Sequence, residues 1–156
     1  MSKKRRIPTV LVIEDEIDIQ NFISRVLELE GYCVLKAGDG KTGMEVFKDN
    51  SIDLVLLDLR LPGADGWSVL REIKHTPELS NIPVVVLTAI AESSQRRRTL
   101  RMGATQYLIK PLSAHGLSKA VAAILQKKWS GLSENPEKSG KLRIDTQRGL
   151  SAPSGD

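Results

Sequence analysis

Acidic, hydroxyl and amino side chains follow four short apolar runs in this sequence, and together they suit the chemistry of a phosphoryl group. Glu14 and Asp15 end the first run, Asp58 ends another, and Thr88 and Lys110 end two more. If these runs are parallel strands, their carboxyl ends meet at one edge of a sheet and bring the five side chains together. The arrangement then offers three carboxylates, a hydroxyl and an ammonium in one small volume.

Three carboxylates so close together require compensation of their charge. Two unit charges ~4 Å apart repel each other by about 4 kcal/mol at an effective dielectric constant of 20. Either the carboxyl pKa values rise or a cation neutralises the site. Oxygen ligands suit Mg²⁺, which completes its shell with waters and phosphate oxygens, while an ammonium and a hydroxyl hold the remaining phosphoryl oxygens. A carboxylate beside such a metal ion is a nucleophile for phosphorus.

Five strands alternating with five helices would position these residues. Three of the strands are apolar throughout, which is typical of parallel strands covered on both faces, and the alternation predicts a doubly wound α/β fold. The predicted strands are 10–13, 32–37, 54–57, 84–87 and 107–109. Apolar spacing and cap residues predict helices around 19–27, 41–48, 69–73 and 92–102 and after Ser113. Pro62, Gly63 and Gly66 predict a loop after the third strand.

Four motifs in this order resemble the signature of receiver domains of two-component response regulators. They are VLVIEDE at 10–16, DLRLPGADG at 58–66, Thr88-Ala89 and Lys110-Pro111, and the resemblance extends over about residues 7–128. It implies a flavodoxin-like sheet with strand order 2-1-3-4-5. It also implies a phosphoacceptor module that switches a protein-interaction surface and is not an enzyme acting on a free substrate.

The resemblance assigns a role to each residue of the predicted site. Asp58 would take a phosphoryl group from a phosphohistidine of a sensor histidine kinase or a phosphotransfer protein. Asp15 and Asp58 would bind Mg²⁺ directly, Glu14 would act through a metal-bound water, and the backbone carbonyl of Arg60 would add a ligand.

The same resemblance points to residues that respond to the phosphoryl group or limit its lifetime. Thr88 and Lys110 would contact it, and Tyr107, at the switch position, would rotate inward as Thr88 moves. Arg60 and Ile90 lie two positions after Asp58 and Thr88, where side chains control the access of a hydrolytic water. Because Ile90 is apolar and cannot orient that water, we expect slow autodephosphorylation.

Length and composition predict one domain with additional residues at each end. We expect a basic N-terminal extension at 1–6, a receiver domain at 7–129 and a disordered tail or linker at 130–156, where Ser, Gly, Lys and Pro dominate. The sequence contains one cysteine and no apolar run that would span a membrane, so we expect a cytoplasmic protein. Cys33 is expected in the core, and Trp67 is expected to pack.

Arginines on the predicted fourth helix form a basic patch at Arg97, Arg98 and Arg101. In receiver domains the surface of the fourth helix, fifth strand and fifth helix is the usual output or dimer face, so the patch is a candidate site for an acidic partner or a homodimer. A solvated helix face is an equal alternative. The net charge of +4 is modest, and direct binding of nucleic acid is not expected.

Two alternative functions stay open in the sequence. One alternative is that the chain is a receiver fragment of a larger hybrid kinase or of a DNA-binding regulator, which the composition of the tail fits. A small-molecule aspartyl phosphatase is less well supported, since enzymes of the haloacid dehalogenase type carry a second acid two residues after the nucleophile. That position here is Arg60.

Overall fold

The structure, a computed structural model, describes residues 6–89 and 91–133, which form seven strands and five helices. The strands are β1 (Thr9–Ile13), β2 (Cys33–Ala37), β3 (Leu54–Asp58), β4 (Arg60–Leu61), β5 (Ala64–Asp65), β6 (Val84–Thr88) and β7 (Gln106–Ile109). The helices are α1 (Ile17–Leu29), α2 (Gly40–Asp49), α3 (Gly66–His75), α4 (Ser93–Arg101) and α5 (Ala114–Ser133).

Five of the strands form one parallel sheet in the order β2-β1-β3-β6-β7. This confirms the predicted doubly wound fold, because the order equals 2-1-3-4-5 once the two short strands β4 and β5 are set aside. The order places β1 and β3 side by side at the centre of the sheet. Residues that follow these two strands therefore emerge next to each other.

The segment predicted as a plain loop contains the antiparallel pair β4–β5 instead. Arg60 pairs with Asp65, and Leu61 pairs with the residue after Gly63. Gly63 has a φ of 75°, which suits the third position of a type II turn, and Pro62 precedes it at the favoured second position. The sequence signal for a turn was correct, but two-residue strands are too short to be recognised from an alternating pattern.

The three inner strands of the sheet, β1, β3 and β6, are buried on both faces. Alternate residues such as Leu11, Val55 and Val86 pack with α2 and α3 in one continuous apolar cluster. Their strand neighbours Val10 and Leu54 point the other way and are equally inaccessible to solvent. Burial on both faces explains why these strands are apolar at every position.

Side-chain caps mark where α2, α3 and α5 begin, and a glycine follows the end of α1. Asp39 caps α2 by accepting a hydrogen bond from the amide of Thr42 (2.7 Å), and Asp65 caps α3 in the same way. Ser113 caps α5, as predicted. Gly31 follows α1 with a φ of 96°, the left-handed conformation expected of a residue that ends a helix.

Cys33 is exposed, so its predicted place in the core is wrong. It begins β2, which lies at the edge of the sheet, and two of the five residues of β2 are exposed. An apolar sequence does not distinguish an edge strand from a central one.

The chain divides into two compact units, residues 1–122 and 123–156. The first unit contains the whole sheet, and the described part of the second unit is the last stretch of α5. This helix continues to Ser133 and so extends beyond residue 130, where the tail was predicted to start. The predicted extension at 1–6 lies outside the described residues except for Arg6, and so does the rest of the predicted tail. The limits at 7 and 129 stay a prediction.

In the described part of the chain, no helix combines the length and hydropathy needed to cross a membrane.

Candidate phosphoryl site

The sheet itself positions the site residues, because its hydrogen bonds continue to the last residue of each strand. The amide of Glu14 donates to the carbonyl of Ala37 (3.0 Å), and the amide of Lys110 donates to the carbonyl of Thr88 (2.8 Å). Asp58 pairs with Leu87 as the final residue of β3. These side chains therefore project from backbone that the sheet holds in place, as a preorganised site requires.

Lys110 joins the two central acids of the site. Its Nζ lies 2.9 Å from Oε1 of Glu14 and 3.2 Å from Oδ2 of Asp58. Burial lowers the pKa of Lys110, but the two carboxylates outweigh this effect and leave the pKa raised. The ammonium thus stays charged at neutral pH and offsets part of the negative charge of the cluster.

Asp58 is almost completely buried and held at both carboxylate oxygens. Its side chain accepts a hydrogen bond at Oδ1 from the amide of Arg60 (3.2 Å) and at Oδ2 from Lys110. Two donors from different elements, β4 and the end of β7, fix the orientation of the carboxylate. This is the geometry expected of a positioned nucleophile.

Among the acids of the site, Glu14 has the most strongly shifted pKa. It is fully buried, and this desolvation raises its pKa to about 7 against the opposing effects of Lys110 and the amide of Glu16. Glu16 donates to Oε2 (3.1 Å), whereas Oε1 faces Lys110 without a well-directed hydrogen-bond donor in the described part of the chain. A rise was expected from the crowding of carboxylates, but burial is its main cause and the charge of Asp58 adds less.

Glu14, Asp15 and Asp58 meet the requirements of a small cation. Each offers one carboxylate oxygen, and these oxygens all lie within 4.8 Å of one another. Asp15 is exposed and lines an open pocket of about 540 Å³ with Arg60, Asp65 and Trp67. The under-coordinated Oε1 of Glu14 and the all-oxygen donor set fit Mg²⁺, which prefers carboxylates and waters.

Thr88 and Tyr107 are linked within the site. Thr88 is buried at the end of β6, and Tyr107 is buried on the neighbouring β7. Burial raises the pKa of Tyr107, while a side-chain hydrogen bond with Thr88 acts in the opposite direction. Tyr107 therefore already occupies an inward position in this structure, and its predicted rotation stays a prediction.

Gly66 and Gln20 support the site, although Gly66 was predicted only as a loop residue and Gln20 was not singled out in the sequence. A Cβ at Gly66 would lie 2.4 Å from the carbonyl oxygen of Asp58 and 2.5 Å from Cα of Leu59, so any side chain would displace the nucleophile's own backbone. Gln20, buried in α1, donates from Nε2 to the carbonyl of Glu14 (2.9 Å). The sequence signal that could have identified Gln20 is a polar residue on the buried face of an amphipathic helix.

The structure places the remaining predicted residues around this centre. Arg60 is exposed in β4, and Ile90 lies outside the described residues. Arg97, Arg98 and Arg101 are all exposed on α4, as predicted for a patch. Trp67 packs against the core, also as predicted. Its Nε1 donates to Oγ1 of Thr99 (2.9 Å), and Arg98 lies 4.4 Å from the centre of its ring.

Comparisons with a protein family and with solved structures agree with each other. Residues 10–122 match the family described as Response regulator receiver domain. A receiver domain from Clostridium thermocellum covers 79% of this chain with a TM-score of 0.71 and 35% identity, and the match spans 98% of that structure. A Francisella response regulator receiver domain gives a TM-score of 0.73 at 30% identity over 78% of this chain and 98% of its own.

Curated relatives are longer than this chain. The phosphate regulon transcriptional regulatory protein PhoB of Pseudomonas aeruginosa is 35% identical over 88% of the chain and 60% of its own length. A probable transcriptional regulator ycf27 of Porphyridium aerugineum is 34% identical over 89% of the chain and 59% of its own length. The chain thus spans about 60% of the length of these two relatives.

Proposed function

The chain belongs to the family of response regulator receiver domains, which are phosphoacceptor signalling modules, and from this premise we propose that Asp58 is its phosphoacceptor. The observation that carries the proposal is the placement of Asp58: a nearly buried carboxylate, oriented by Arg60 and Lys110, in a cluster of two further acids. The proposed donor is a phosphohistidine of a sensor histidine kinase or a phosphotransfer protein.

In the proposed reaction an oxygen of Asp58 attacks the phosphorus of the phosphohistidine. The P–N bond breaks, its electrons and a proton remain with the leaving imidazole, and an acyl phosphate forms on Asp58. The ammonium of Lys110, within ion-pair distance of Asp58, is placed to stabilise charge that develops on the phosphoryl oxygens. The hydroxyl of Thr88 would donate to another phosphoryl oxygen.

We propose Mg²⁺ as the cofactor, held by Asp15 and Asp58 with Glu14 acting through a water and the backbone carbonyl of Arg60 as a further ligand. When bound, the metal ion neutralises carboxylate charge and polarises the phosphoryl group. The three acids provide the oxygen donors, and the open pocket beside Asp15 leaves room for waters. Tyr107, linked to Thr88, would then transmit the change to the surface of α4, β7 and α5.

The proposal is tested by labelling the protein with acetyl phosphate and Mg²⁺ and locating the adduct by mass spectrometry. We expect one acyl phosphate, on Asp58, and its loss in Asp58→Asn. Full labelling of Asp58→Asn would reject the assignment.

Asp15→Ala separates the metal site from the nucleophile in the same assay. We expect this variant to lose both labelling and the Mg²⁺-dependent change in Trp67 fluorescence, because Asp15 and Trp67 line the same pocket. Arg25→Ala, an exposed change on α1, serves as the control and should behave as the parent. Unchanged Mg²⁺ binding in Asp15→Ala would reject the ligand set.

A second candidate is the receiver part of a longer DNA-binding regulator. The named transcriptional regulators at about 35% identity, of which the chain spans about 60%, favour it. The phosphoacceptor chemistry is the same in both cases, and we propose a cytoplasmic location for both. A homodimer and an acidic partner are alternative occupants of the output surface.

A further inference from the structure

The turn between β1 and α1 carries two of the three acids of the site. Only residues 14–16 separate Ile13, the end of β1, from Ile17, the start of α1. In this turn Glu14 is fully buried and Asp15 is exposed. Because the two acids are adjacent in the chain, one stretch of backbone sets the positions of both carboxylates. The conformation of the turn therefore decides whether their oxygens can share a cation.

The start of α1 differs from that of the other helices in how it is capped. Asp39 and Asp65 cap α2 and α3 through their side chains, whereas Glu16, the residue before α1, forms no such bond within the described structure. The amide of Glu16 donates instead to Oε2 of Glu14 (3.1 Å). That carboxylate is also a member of the proposed metal site, so it would have to serve the amide and the ion together. A firm hold on the turn therefore requires a group outside the metal site.

Gln20, in the first turn of α1, meets this requirement. Its Nε2 donates to the carbonyl of Glu14 (2.9 Å) and to the carbonyl of Ala37 (3.3 Å), at the end of β2. The amide of Glu14 donates to the same Ala37 carbonyl (3.0 Å). The side chain of Gln20 thus joins α1 to the carboxyl ends of β1 and β2. It is only 7% exposed, so water competes little for these hydrogen bonds.

The helix in turn holds Gln20 in place. The backbone amide of Gln20 donates to the carbonyl of Glu16 (2.9 Å), and the hydroxyl of Ser24 donates to the carbonyl of Gln20 (2.8 Å). Gln20 shares the buried face of α1 with Ile23 and Leu27. A side chain that is fixed in this way keeps the turn ordered, as the residues behind metal ligands commonly do.

We propose that Gln20 is a positioning residue for the metal site and sets its affinity for Mg²⁺ by holding Glu14 and Asp15 in the geometry that the ion requires. The inference deepens the proposed function and rests on it. Gln20 acts through the backbone of the turn and not by contact with the ion. Mg²⁺ suits such control, because it demands near-ideal octahedral geometry. Loss of a group that supports metal ligands typically weakens metal binding by about 10- to 100-fold.

A purely structural role for Gln20 leads to a different expectation. A buried amide that only satisfies two carbonyls contributes to the free energy of unfolding. Its loss would destabilise the fold and leave the metal affinity of the folded protein unchanged. A positioning residue, in contrast, changes the metal affinity of protein that is fully folded. The affinity for Mg²⁺, measured where every variant is folded, therefore separates the two roles.

The test uses the full chain and Mg²⁺ alone, with binding followed by isothermal titration calorimetry. Gln20→Leu removes the amide and keeps an apolar side chain in the buried position, and we expect its Kd for Mg²⁺ to rise by about tenfold or more. Gln20→Asn keeps an amide that is one methylene shorter, and its Kd should rise in the same direction. It is the variant to measure if Gln20→Leu does not fold. Urea denaturation establishes that each variant is folded under the conditions of the titration.

Ser24→Ala is the matched control for these variants. It removes a buried hydrogen bond from the same face of α1, one turn further along, and leaves the amide of Gln20 in place. Its Kd for Mg²⁺ should equal that of the parent. An unchanged Kd in both Gln20 variants, or an equal rise in Ser24→Ala, would overturn the proposal.

A parallel titration with Ca²⁺ shows whether geometry is the cause. Ca²⁺ accepts about six to eight oxygen ligands in flexible arrangements, whereas Mg²⁺ does not. We expect Gln20→Leu to weaken the binding of Mg²⁺ more than that of Ca²⁺, and equal losses for the two ions would overturn the proposal. A parent that binds no Mg²⁺ would contradict the proposed metal site and this inference with it. A parent that binds Mg²⁺ no better than its Gln20 variants would contradict this inference alone.

Discussion

Glu14, Lys110 and Asp58 form a row of charged groups in which the protonation of each group depends on its neighbour. Lys110 lies between the two carboxylates, yet burial dominates the behaviour of Glu14 and raises its pKa to about 7. The folded protein therefore binds a proton at Glu14 more tightly than the unfolded chain does. This has a direct consequence for stability in the absence of metal.

We expect the metal-free protein to lose stability as pH rises from about 4.5 to 7, since a raised carboxyl pKa means that the folded state holds the extra proton in this window. Glu14→Gln removes the charge and should be more stable than the parent at about pH 8, by on the order of 2 kcal/mol, with the gain vanishing towards about pH 4. Urea denaturation in EDTA at a series of pH values measures the difference. A gain independent of pH would show that packing, not ionisation, is responsible.

We predict that Arg60 and Ile90 govern a different property, the lifetime of the proposed acyl phosphate. Neither side chain resembles the amide or acidic groups that orient a hydrolytic water, and Ile90 is apolar and β-branched. We expect slow decay in the parent and faster decay in Arg60→Asn with Ile90→Glu. A tenfold change requires only about 1.4 kcal/mol in the barrier. The decay of labelled protein after removal of acetyl phosphate is the measurement, and identical rates would remove both residues from this role.

The strands, helices and caps bring the acidic residues and Lys110 of the site to one edge of the sheet. Most of that architecture could be predicted. Apolar runs ending in acids gave β1 and β3, and Gly31 and Ser113 correctly marked helix ends. The sequence could not indicate the pair β4–β5, because two residues carry no periodicity. Nor could it show that β2 lies at the edge, since strand order depends on packing between distant segments.

The convergence of the site was predictable, but its internal contacts were not. Strand ends placed Glu14, Asp58 and Lys110 together, since a parallel sheet collects its carboxyl ends at one edge. The inward position of Tyr107 and the supporting bond from Gln20 depend on side-chain packing. Such packing is decided by neighbours from several elements, and no local pattern records it.

Gly66, at the start of α3, offers a sharp test of how tightly β3 and α3 are joined. Gly66→Ala would place a Cβ against the backbone of Asp58 and Leu59, neither of which can move without distorting the nucleophile. We expect a loss of stability of about 1–3 kcal/mol, typical of overpacking, together with weaker labelling of Asp58.

Gly38→Ala is the matched control for that substitution. A Cβ there meets nothing within 4 Å. Thermal denaturation and acetyl phosphate labelling of both variants give the comparison. If the two variants behave alike, the close approach at Gly66 does not constrain the site.

Beyond the sheet, the two ends of the chain contribute unequally to the stability of the fold. Arg6 forms a bidentate pair with the buried Asp53 (2.6 and 3.2 Å), and Asp53 also accepts a hydrogen bond from the amide of Thr9. This contact lies at the amino ends of β1 and β3, opposite the phosphoryl site. Residues from 134 onward have a composition that predicts little gain from ordering.

We therefore expect a chain ending at Ser133 to fold with an unchanged thermal midpoint and to label at Asp58 as the full chain does. Arg6→Ala should lower the midpoint instead, because it leaves the buried Asp53 without its charged partner. The cost is on the order of 1–3 kcal/mol. Calorimetry of both variants measures the difference, and a large loss on truncation would show that the tail contributes to the fold.

The exposed position of Cys33 gives the molecule a natural attachment point for a reporter. It is the single cysteine in the sequence, so a maleimide dye would react at one place without prior mutagenesis. β2 lies at one edge of the sheet, while β7 and the adjoining α4 lie at the other, so a dye there would leave the arginines clear. Energy transfer from Cys33 to a dye on a bound partner protein would then report docking directly, and its efficiency would distinguish docking at α4 from docking at the face nearest β2.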